Sequence, residues 1–359
     1  LYHTAATQFA FLAPRGVRRD EYVPRLADGH RRERQLSMTG TLLTSAIGVA
    51  VFTPRSTGPQ DVLRALYSAV QDARSSPDLV SVYSPVADEA YQRRYRLLQD
   101  FGPALLAGDQ LRLVFQPRID LPTGRCVGAE ALLRWSHPDL GPVSPGEFVP
   151  VIEHSPHAQA MTAFVLETAL AQARRWREDG YEIVISVNVS AANLHEADFG
   201  RSVQDAFRRH GLEPERLELE VTESAIMQDA AQARRQLDEL AAAGVRLAID
   251  DFGTGYSSLA YLQDLPAHVV KIDRSFVLKL DEGDRESSLV RSMIGLSHDL
   301  GYRVVAEGVE TVEAAHRLLS MRCDEGQGYL FARPLEVGQF ATWLQEHEPG
   351  TRPAAERNV

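Results

Sequence analysis

Cysteine is nearly missing from this chain, with only Cys126 and Cys323 among 359 residues. Two cysteines cannot build a disulfide framework, which removes the small secreted scaffolds from consideration and suits a reducing, cytoplasmic setting. Long apolar runs are scarce too: the best candidate, "TLLTSAIGVAVF" from residue 41, is too short and too interrupted by polar residues to span a membrane. Positive charge is in deficit, 38 Lys and Arg against 49 Asp and Glu for a net charge of -11. Grip on a nucleic-acid backbone comes from clustered Lys and Arg, so duplex nucleic acid is not an expected partner. An anionic ligand fits such a chain where metal ions offset the repulsion. An initiating Met is absent, the chain opening on Leu1. The expectation is a fragment or processed form, with room for an upstream sensor domain or membrane attachment on the same chain.

What is present falls into two regimes. Residues 1–85 mix a short apolar piece, "FAFLA", an Arg-rich stretch, the strand-like "LLTSAIGVAVF", the helical "DVLRALYSAVQDARS" and a short strand, "LVSVYS". Residues 86–110 read as a connector helix with a break expected at Gly102 and Pro103. From residue 111 to 347 short β-rich strands alternate with longer amphipathic helices: "LRLVFQPRI", "CVGAEALLRW", "EIVISVNVS", "RLELEVTE", "VRLAIDD", "HVVKID", "RVVAEGVE" and "GQGYLF". Residues 348–359 read as a flexible tail. Such alternation predicts an α/β fold, a TIM-like (β/α)8 barrel, beside a partial α+β segment at the N-terminus. The first two strands are joined by the short "DLPTGR", a hairpin-type link, so the barrel is expected to carry one antiparallel strand.

The stretch "RLAIDDFGTGYSS" raises a chemical question, because an apolar run ends in two adjacent carboxylates. Neighbouring side chains on a strand point to opposite faces, so the strand is expected to stop at Asp250 and Asp251, with Gly253 and Gly255 forming the turn. Active sites of such barrels gather at the C-terminal ends of the strands. Placed there are Glu130, Asn188, Glu220, Asp250 with Asp251, Lys271, Glu307 and Gln327. A cluster of carboxylates at short range disfavours joint ionisation unless cations compensate it. Oxygen-only ligands favour Mg2+ or Mn2+ over Zn2+. Asp250, with Asp251 beside it, suits the bridging place between two ions, the arrangement that clamps the attacking and leaving oxygens of a phosphodiester.

From Leu111 to about His347 the chain resembles the EAL domain, the cyclic di-GMP phosphodiesterase family. The motifs are "EALLRW" with Glu130, Ala131 and Leu132, then "SVNVS", "EVTES", "DDFGTGYSS", "KID", "AEGVE" and "GQGYLFARP", in order. The resemblance implies hydrolysis of cyclic di-GMP to linear pGpG with two Mg2+ or Mn2+ ions per site. It matches Glu130, Asn188, Glu220 and Asp250 to the main metal ligands, Asp251 and Glu307 to the second ion and its attacking water, and Lys271 to the lysine that orients that water. It matches Glu223 to the acid holding the "GTGYSS" loop, which links metal binding to dimer contacts, and Glu310 and Asp273 to supporting positions. Gln116, Leu132, Arg134 and Gln327 match substrate-binding positions, Arg134 as the arginine whose planar fork meets phosphate oxygens. A homodimer through "GTGYSSLAYLQDL" is implied as well. The opening "LYHTAATQFAFLAP" resembles part of a GGDEF domain with Ala5, Ala6, Thr7, Gln8 and Phe9 in place of the signature pentapeptide. Its glycines and acids are gone, so cyclase chemistry is not expected.

Several of these residues also have a plainer reading. Glu218 and Glu220 alternate with leucines and by themselves read as the outer face of an edge strand. Asn188 reads as a strand-end turn residue, Asp273 as a helix N-cap, and Glu307 with Glu310 as an acidic helix start. At the level of function the alternatives are a catalytically silent cyclic di-GMP receptor or interaction module, and an unrelated barrel hydrolase acting on another phosphodiester.

Overall fold

The computed structural model describes residues 2–5, 8–12, 23–29, 45–53, 56–196, 198–254, 263, 265–281 and 283–347. The expected tail 348–359 and most of the proposed dimer segment lie outside them. Two compact units divide the chain, Leu1–Leu97 and Leu98–Val359. Among the described residues, no helix is long and apolar enough to cross a membrane.

In the first unit, β1 (Tyr2–Ala5) and β2 (Gln8–Ala10) form an antiparallel hairpin. Strands β3 (Ile47–Val49) and β4 (Val80–Val82) pair in parallel, with the helix Pro59–Ser75 as the crossover such a pair requires. Gly48 lets that helix lie directly on β3, since a Cβ there would stand 2.5 Å from Val70 N.

In the second unit eight strands close into a barrel: β5 (Leu111–Asp120), β6 (Cys126–His137), β8 (Val184–Val189), β9 (Leu217–Thr222), β10 (Arg246–Phe252), β11 (Val269–Ile272), β12 (Arg303–Glu307) and β13 (Glu325–Gln327). β7 (Gly141–Val143) adds a short antiparallel strand to the end of β6. The antiparallel member is β5, which opposes both β6 and β13, while the other neighbours run parallel. Its tight link is held by Asp120, whose Oδ1 accepts from the Thr123 N–H at 3.0 Å, with Gly124 at φ 69°.

Outward-facing Leu217, Leu219, Ile185, Val187, Leu247 and Ile249 are buried beneath the helices. On β5 the outer face is sealed by aromatics, Phe115 lying 4.8 Å from Trp176 of the helix Ala158–Glu178. Trp176 in turn lies 4.8 Å from Phe340 of the helix Val337–His347. That aromatic layer leaves the inward face free for polar residues.

Three local expectations are corrected. The helix Pro85–Ala107 runs unbroken through Gly102 and Pro103. Its flanks are anchored, with Phe101 fully buried against Trp135 at 5.4 Å, and Gly102 serves close approach, a Cβ there falling 3.0 Å from His157 Cε1. Strand β13 begins one residue earlier, at Glu325, and covers only Gly326 and Gln327 of "GQGYLF", because Gly328 runs hard against Val309, where a Cβ would meet the carbonyl oxygen at 2.2 Å. Strand β10 does not stop at the acidic pair but continues to Phe252. Between Ile249 and Phe252 it gains one residue on β11, and Asp251 takes a left-handed φ of 55°. This bulge lets Asp250 point inward while Asp251 is only half-buried, without either entering the apolar outer layer.

Candidate active site

Lys271 is the centre of the barrel's polar interior. It sits on β11 between two apolar strand neighbours and is fully buried. Its Nζ lies 2.5 Å from Glu307 Oε1, 2.7 Å from Glu220 Oε2, 3.4 Å from Asp250 Oδ1 and 3.8 Å from Glu130 Oε2. Strand order explains the convergence. Glu220, Asp250, Lys271 and Glu307 stand on the consecutive parallel strands β9 to β12, at the C-terminal ends where the interior opens.

An amide clamp fixes the opposite wall. Glu130 on β6 accepts from Asn188 Nδ2 at 2.9 Å through Oε1 and from Gln327 Nε2 at 2.6 Å through Oε2. Gln327 Nε2 also donates to Gln116 Oε1 at 3.2 Å, and Gln116 Nε2 donates to the Ala332 carbonyl at 3.1 Å. Leu132 and Arg134 share the Glu130 face of β6 at period two, both half-buried. Arg134 Nη1 donates to the Leu133 carbonyl at 2.9 Å. Burial lowers its guanidinium pKa, with nearby Arg112 adding to the effect.

One ammonium faces four carboxylates, and their protonation reflects the shortfall. Burial pushes Glu220 well above the ordinary carboxylate range, with Glu130, Asp250 and Glu218 adding to it against the pull of Lys271. Burial likewise raises Glu307 to about 7. Glu130 goes the other way: burial would raise it, but Lys271 and the hydrogen bonds from Gln327 and Asn188 hold it below the ordinary value. Lys271 remains charged, since burial is overcome by Asp250, Glu130, Glu220 and Glu307.

The oxygen-only donor set suits a hard divalent cation. Glu220 Oε1 is buried and accepts no hydrogen bond, an oxygen that such an ion would satisfy. Among the described residues, no three His, Cys, Asp or Glu side chains are already arranged around a shared metal position. The oxygens turn toward the Lys271 ammonium instead. Glu130, Asn188, Glu220 and Asp250 carry the oxygens that could hold a cation, with Asp251 and Glu307 as further candidates.

The remaining candidates lie further out. Asp251 is half-buried and its N–H donates to Asp250 Oδ1 at 2.9 Å. Burial raises its carboxyl, with Asp250 and then Asp273 contributing. Asp273 caps the one-turn helix Arg274–Val277 by accepting from the Ser275 N–H at 3.0 Å, which is its N-cap reading. Glu223 is buried at the start of the helix Glu223–Gln228, after the Thr222 cap. Of the "GTGYSS" loop, Gly253 and Thr254 are described, and residues 255–258 lie outside the described residues. Glu310 stands exposed after β12, outside the carboxylate cluster.

Glu218 departs from its edge-strand reading. It is completely buried inside the barrel, one layer below Glu220, where Arg118 and Glu325 join it. Arg118 and Glu325 were not anticipated. The available signal was the period-two polar pattern of "RLELEVTE" and "FQPRID": in a closed barrel whose outer face carries helices, alternating polar residues must face the interior.

Residues 98–334 match the sequence profile of the EAL domain. The chain belongs to the EAL domain family. A cyclic di-GMP phosphodiesterase of Pseudomonas aeruginosa, PA2567, is 38% identical over 348 residues, covering 96% of this chain and 59% of that protein. The bifunctional diguanylate cyclase/cyclic di-GMP phosphodiesterase MucR of the same organism is 36% identical over 311 residues, covering 85% of this chain and 45% of MucR. This EAL chain thus spans about half the length of the curated relatives it matches. Among solved structures, a MucR phosphodiesterase in complex with c-di-GMP superposes with a TM-score of 0.65 at 42% identity, over 68% of this chain and 99% of that one. The EAL enzyme Bd1971 bound to cAMP and cyclic di-GMP gives a TM-score of 0.67 at 32% identity, over 73% and 70%.

Proposed function

We propose that this EAL chain hydrolyses cyclic di-GMP to linear pGpG, using two Mg2+ or Mn2+ ions. The observation that carries the reading is the buried Lys271 ammonium among Glu220, Asp250, Glu130 and Glu307, with the unsatisfied Glu220 Oε1 beside it. When bound, the ions supply charge neutralisation and Lewis-acid activation of the water and the phosphate. The chain's own part is positioning. Lys271 Nζ, held by Glu220 and Glu307, orients the water whose oxygen attacks phosphorus. The P–O3′ bond breaks, leaving the 5′-phosphate of pGpG. Arg134 offers its fork to the phosphate oxygens, and Gln116, Gln327 and Leu132 line the wall where the dinucleotide lies.

The N-terminal unit is read as the C-terminal part of a degenerate GGDEF domain. The hairpin of β1 and β2 around Ala5 to Gln8 supports this, as does the β3–helix–β4 crossover. With Ala5, Ala6, Thr7 and Gln8 in the pentapeptide, it makes no cyclic dinucleotide. The protein further pairs with a second copy through residues 253–265, and a fully active monomer in light scattering would contradict that.

The deciding experiment is chromatography of pGpG after incubating the purified chain and cyclic di-GMP with Mg2+ or Mn2+, beside an EDTA control and an Asp250→Ala variant. Metal-dependent pGpG that vanishes in the variant supports the enzyme. Binding of cyclic di-GMP without product makes the chain a receptor instead.

A further inference from the structure

A second polar layer lies beneath the carboxylates, unused by the chemistry above. Arg118 points into the barrel from β5 and is 2% exposed. Its Nη1 is ion-paired with Glu218 and donates to Ser186 Oγ at 3.2 Å, while its Nε faces Glu325 Oε2 at 2.6 Å as an ion pair without hydrogen-bond geometry. Ser186 Oγ donates in turn to Glu218 Oε1 at 3.2 Å. Gly128 on β6 leaves room for the guanidinium, since a Cβ there would stand 3.2 Å from its Nε and Nη2.

The places of these partners matter more than their charges. Side chains two apart on a strand share a face. Gly128 precedes Glu130 by two residues, Ser186 precedes Asn188, Glu218 precedes Glu220 and Glu325 precedes Gln327, while Arg118 follows Gln116 by two on the reversed strand. One guanidinium therefore meets, a level below, the strands that carry five site residues. The other three strands, β10 to β12, place Ala248, Val269 and Val305 at that level as a buried apolar cluster. Apolar contact fixes height loosely, whereas a planar guanidinium with directed donors on Glu218 and Ser186 and a close charge contact to Glu325 does not tolerate displacement of its partners.

We propose that Arg118 is a positioning residue for the site above it. By bridging Glu218 on β9 to Glu325 on β13 across the interior, its guanidinium sets the relative height of Glu220, Gln327 and Gln116. The catalytic consequence rests on the phosphodiesterase reading, but the register consequence does not. A lysine would keep the charge, yet its compact head cannot reproduce the fork.

Two variants of the 359-residue chain test this. Arg118→Lys retains charge without the bridge. A triple variant, Arg118→Met with Glu218→Gln and Glu325→Gln, removes the three charges together and so leaves no lone buried ion to unfold the barrel. The readouts are backbone hydrogen exchange at β8, β9 and β13, and kcat and KM for cyclic di-GMP with Mn2+ well below the unfolding temperature. The expected result in both variants is faster exchange at Asn188, Glu220 and Gln327 and a kcat lowered about tenfold or more with KM little changed. Parent-like exchange and kcat in Arg118→Lys overturn the proposal. If that variant does not fold, the triple variant decides by the same criteria. A reduced melting temperature with unchanged kcat and unchanged local exchange means stability alone, which also overturns it. A parent that fails to hydrolyse the dinucleotide refutes the phosphodiesterase reading, while exchange in the variants still decides this one.

Discussion

Lys271 Nζ lies 2.7 Å from Glu220 Oε2, and both side chains are sealed from solvent. The ammonium could not be there alone. An unpaired buried ion costs several kcal/mol, and Glu220 shares the task of offsetting it with Glu130, Asp250 and Glu307. In the proposed reaction the same pair orients the attacking water, so stability and chemistry would draw on one contact.

Replacing Lys271 by methionine, of similar length but uncharged, separates the two. Four carboxylates lose their shared cation, and the metal-free protein should be destabilised by about 3–5 kcal/mol. Mg2+ or Mn2+ should recover much of that stability but no turnover, because the water loses its orienting donor. Denaturant unfolding with and without the ion, set beside the pGpG assay, checks both halves. Full activity in Lys271→Met would remove the proposed role.

Glu130→Gln and Asp250→Asn keep shape and remove charge. Each should lower turnover by roughly 10²–10³-fold, the scale of losing one preorganised electrostatic contact. They should also weaken Mn2+ binding, which calorimetry reads without substrate. Glu310→Gln, on an exposed loop, serves as the contrast, and the structure predicts a far smaller effect there.

The metal-free protein should lose stability as pH rises toward neutrality. Glu307 is raised to about 7 by burial, and Glu220 and Asp251 are raised as well. The folded state therefore keeps protons that the unfolded chain releases near its ordinary carboxylate range. That contribution is complete below this range and is lost as pH climbs through about 7. The lowered carboxylates, Glu130, Glu167 and Glu218, act below the ordinary range and leave this window untouched. Divalent ions must displace the same protons, so they should flatten the profile. Urea unfolding at pH 5 through 8 in EDTA and in Mg2+ measures it, and metal-free stability that rises over this span would contradict the protonation pattern.

Much of this was legible in the sequence. The alternation from residue 111 onward gives the barrel, the short "DLPTGR" gives its reversed strand, and the strand-end acids give the cluster. Three things escaped for physical reasons. Strand logic has no place for adjacent buried carboxylates, so the bulge at Asp251 looks like a strand end until the β10–β11 register shows the extra residue. Glu218 and Arg118 are individually ordinary surface types, and only closure of the sheet turns their face inward. Pro103 likewise signals a break by local rules, which the anchoring of Phe101 overrides.

That bulge yields the last prediction. Asp251 holds a left-handed φ of 55°, a region where L side chains are strained and glycine is not. Asp251→Gly relieves the backbone but removes the carboxylate, and Asp251→Asn keeps a side chain that tolerates the conformation while removing the charge. If the bulge is kept for its side chain, both should leave stability equal or slightly higher and both should reduce Mn2+-supported hydrolysis. Asp251→Val should do worse on both counts, because a β-branched residue resists this φ and straightening the strand would turn Asp250 away from Lys271 Nζ, now 3.4 Å away. Thermal unfolding and pGpG formation across the three variants separate backbone from side chain. Equal hydrolysis in all three would mean that neither the bulge nor its carboxylate serves the site.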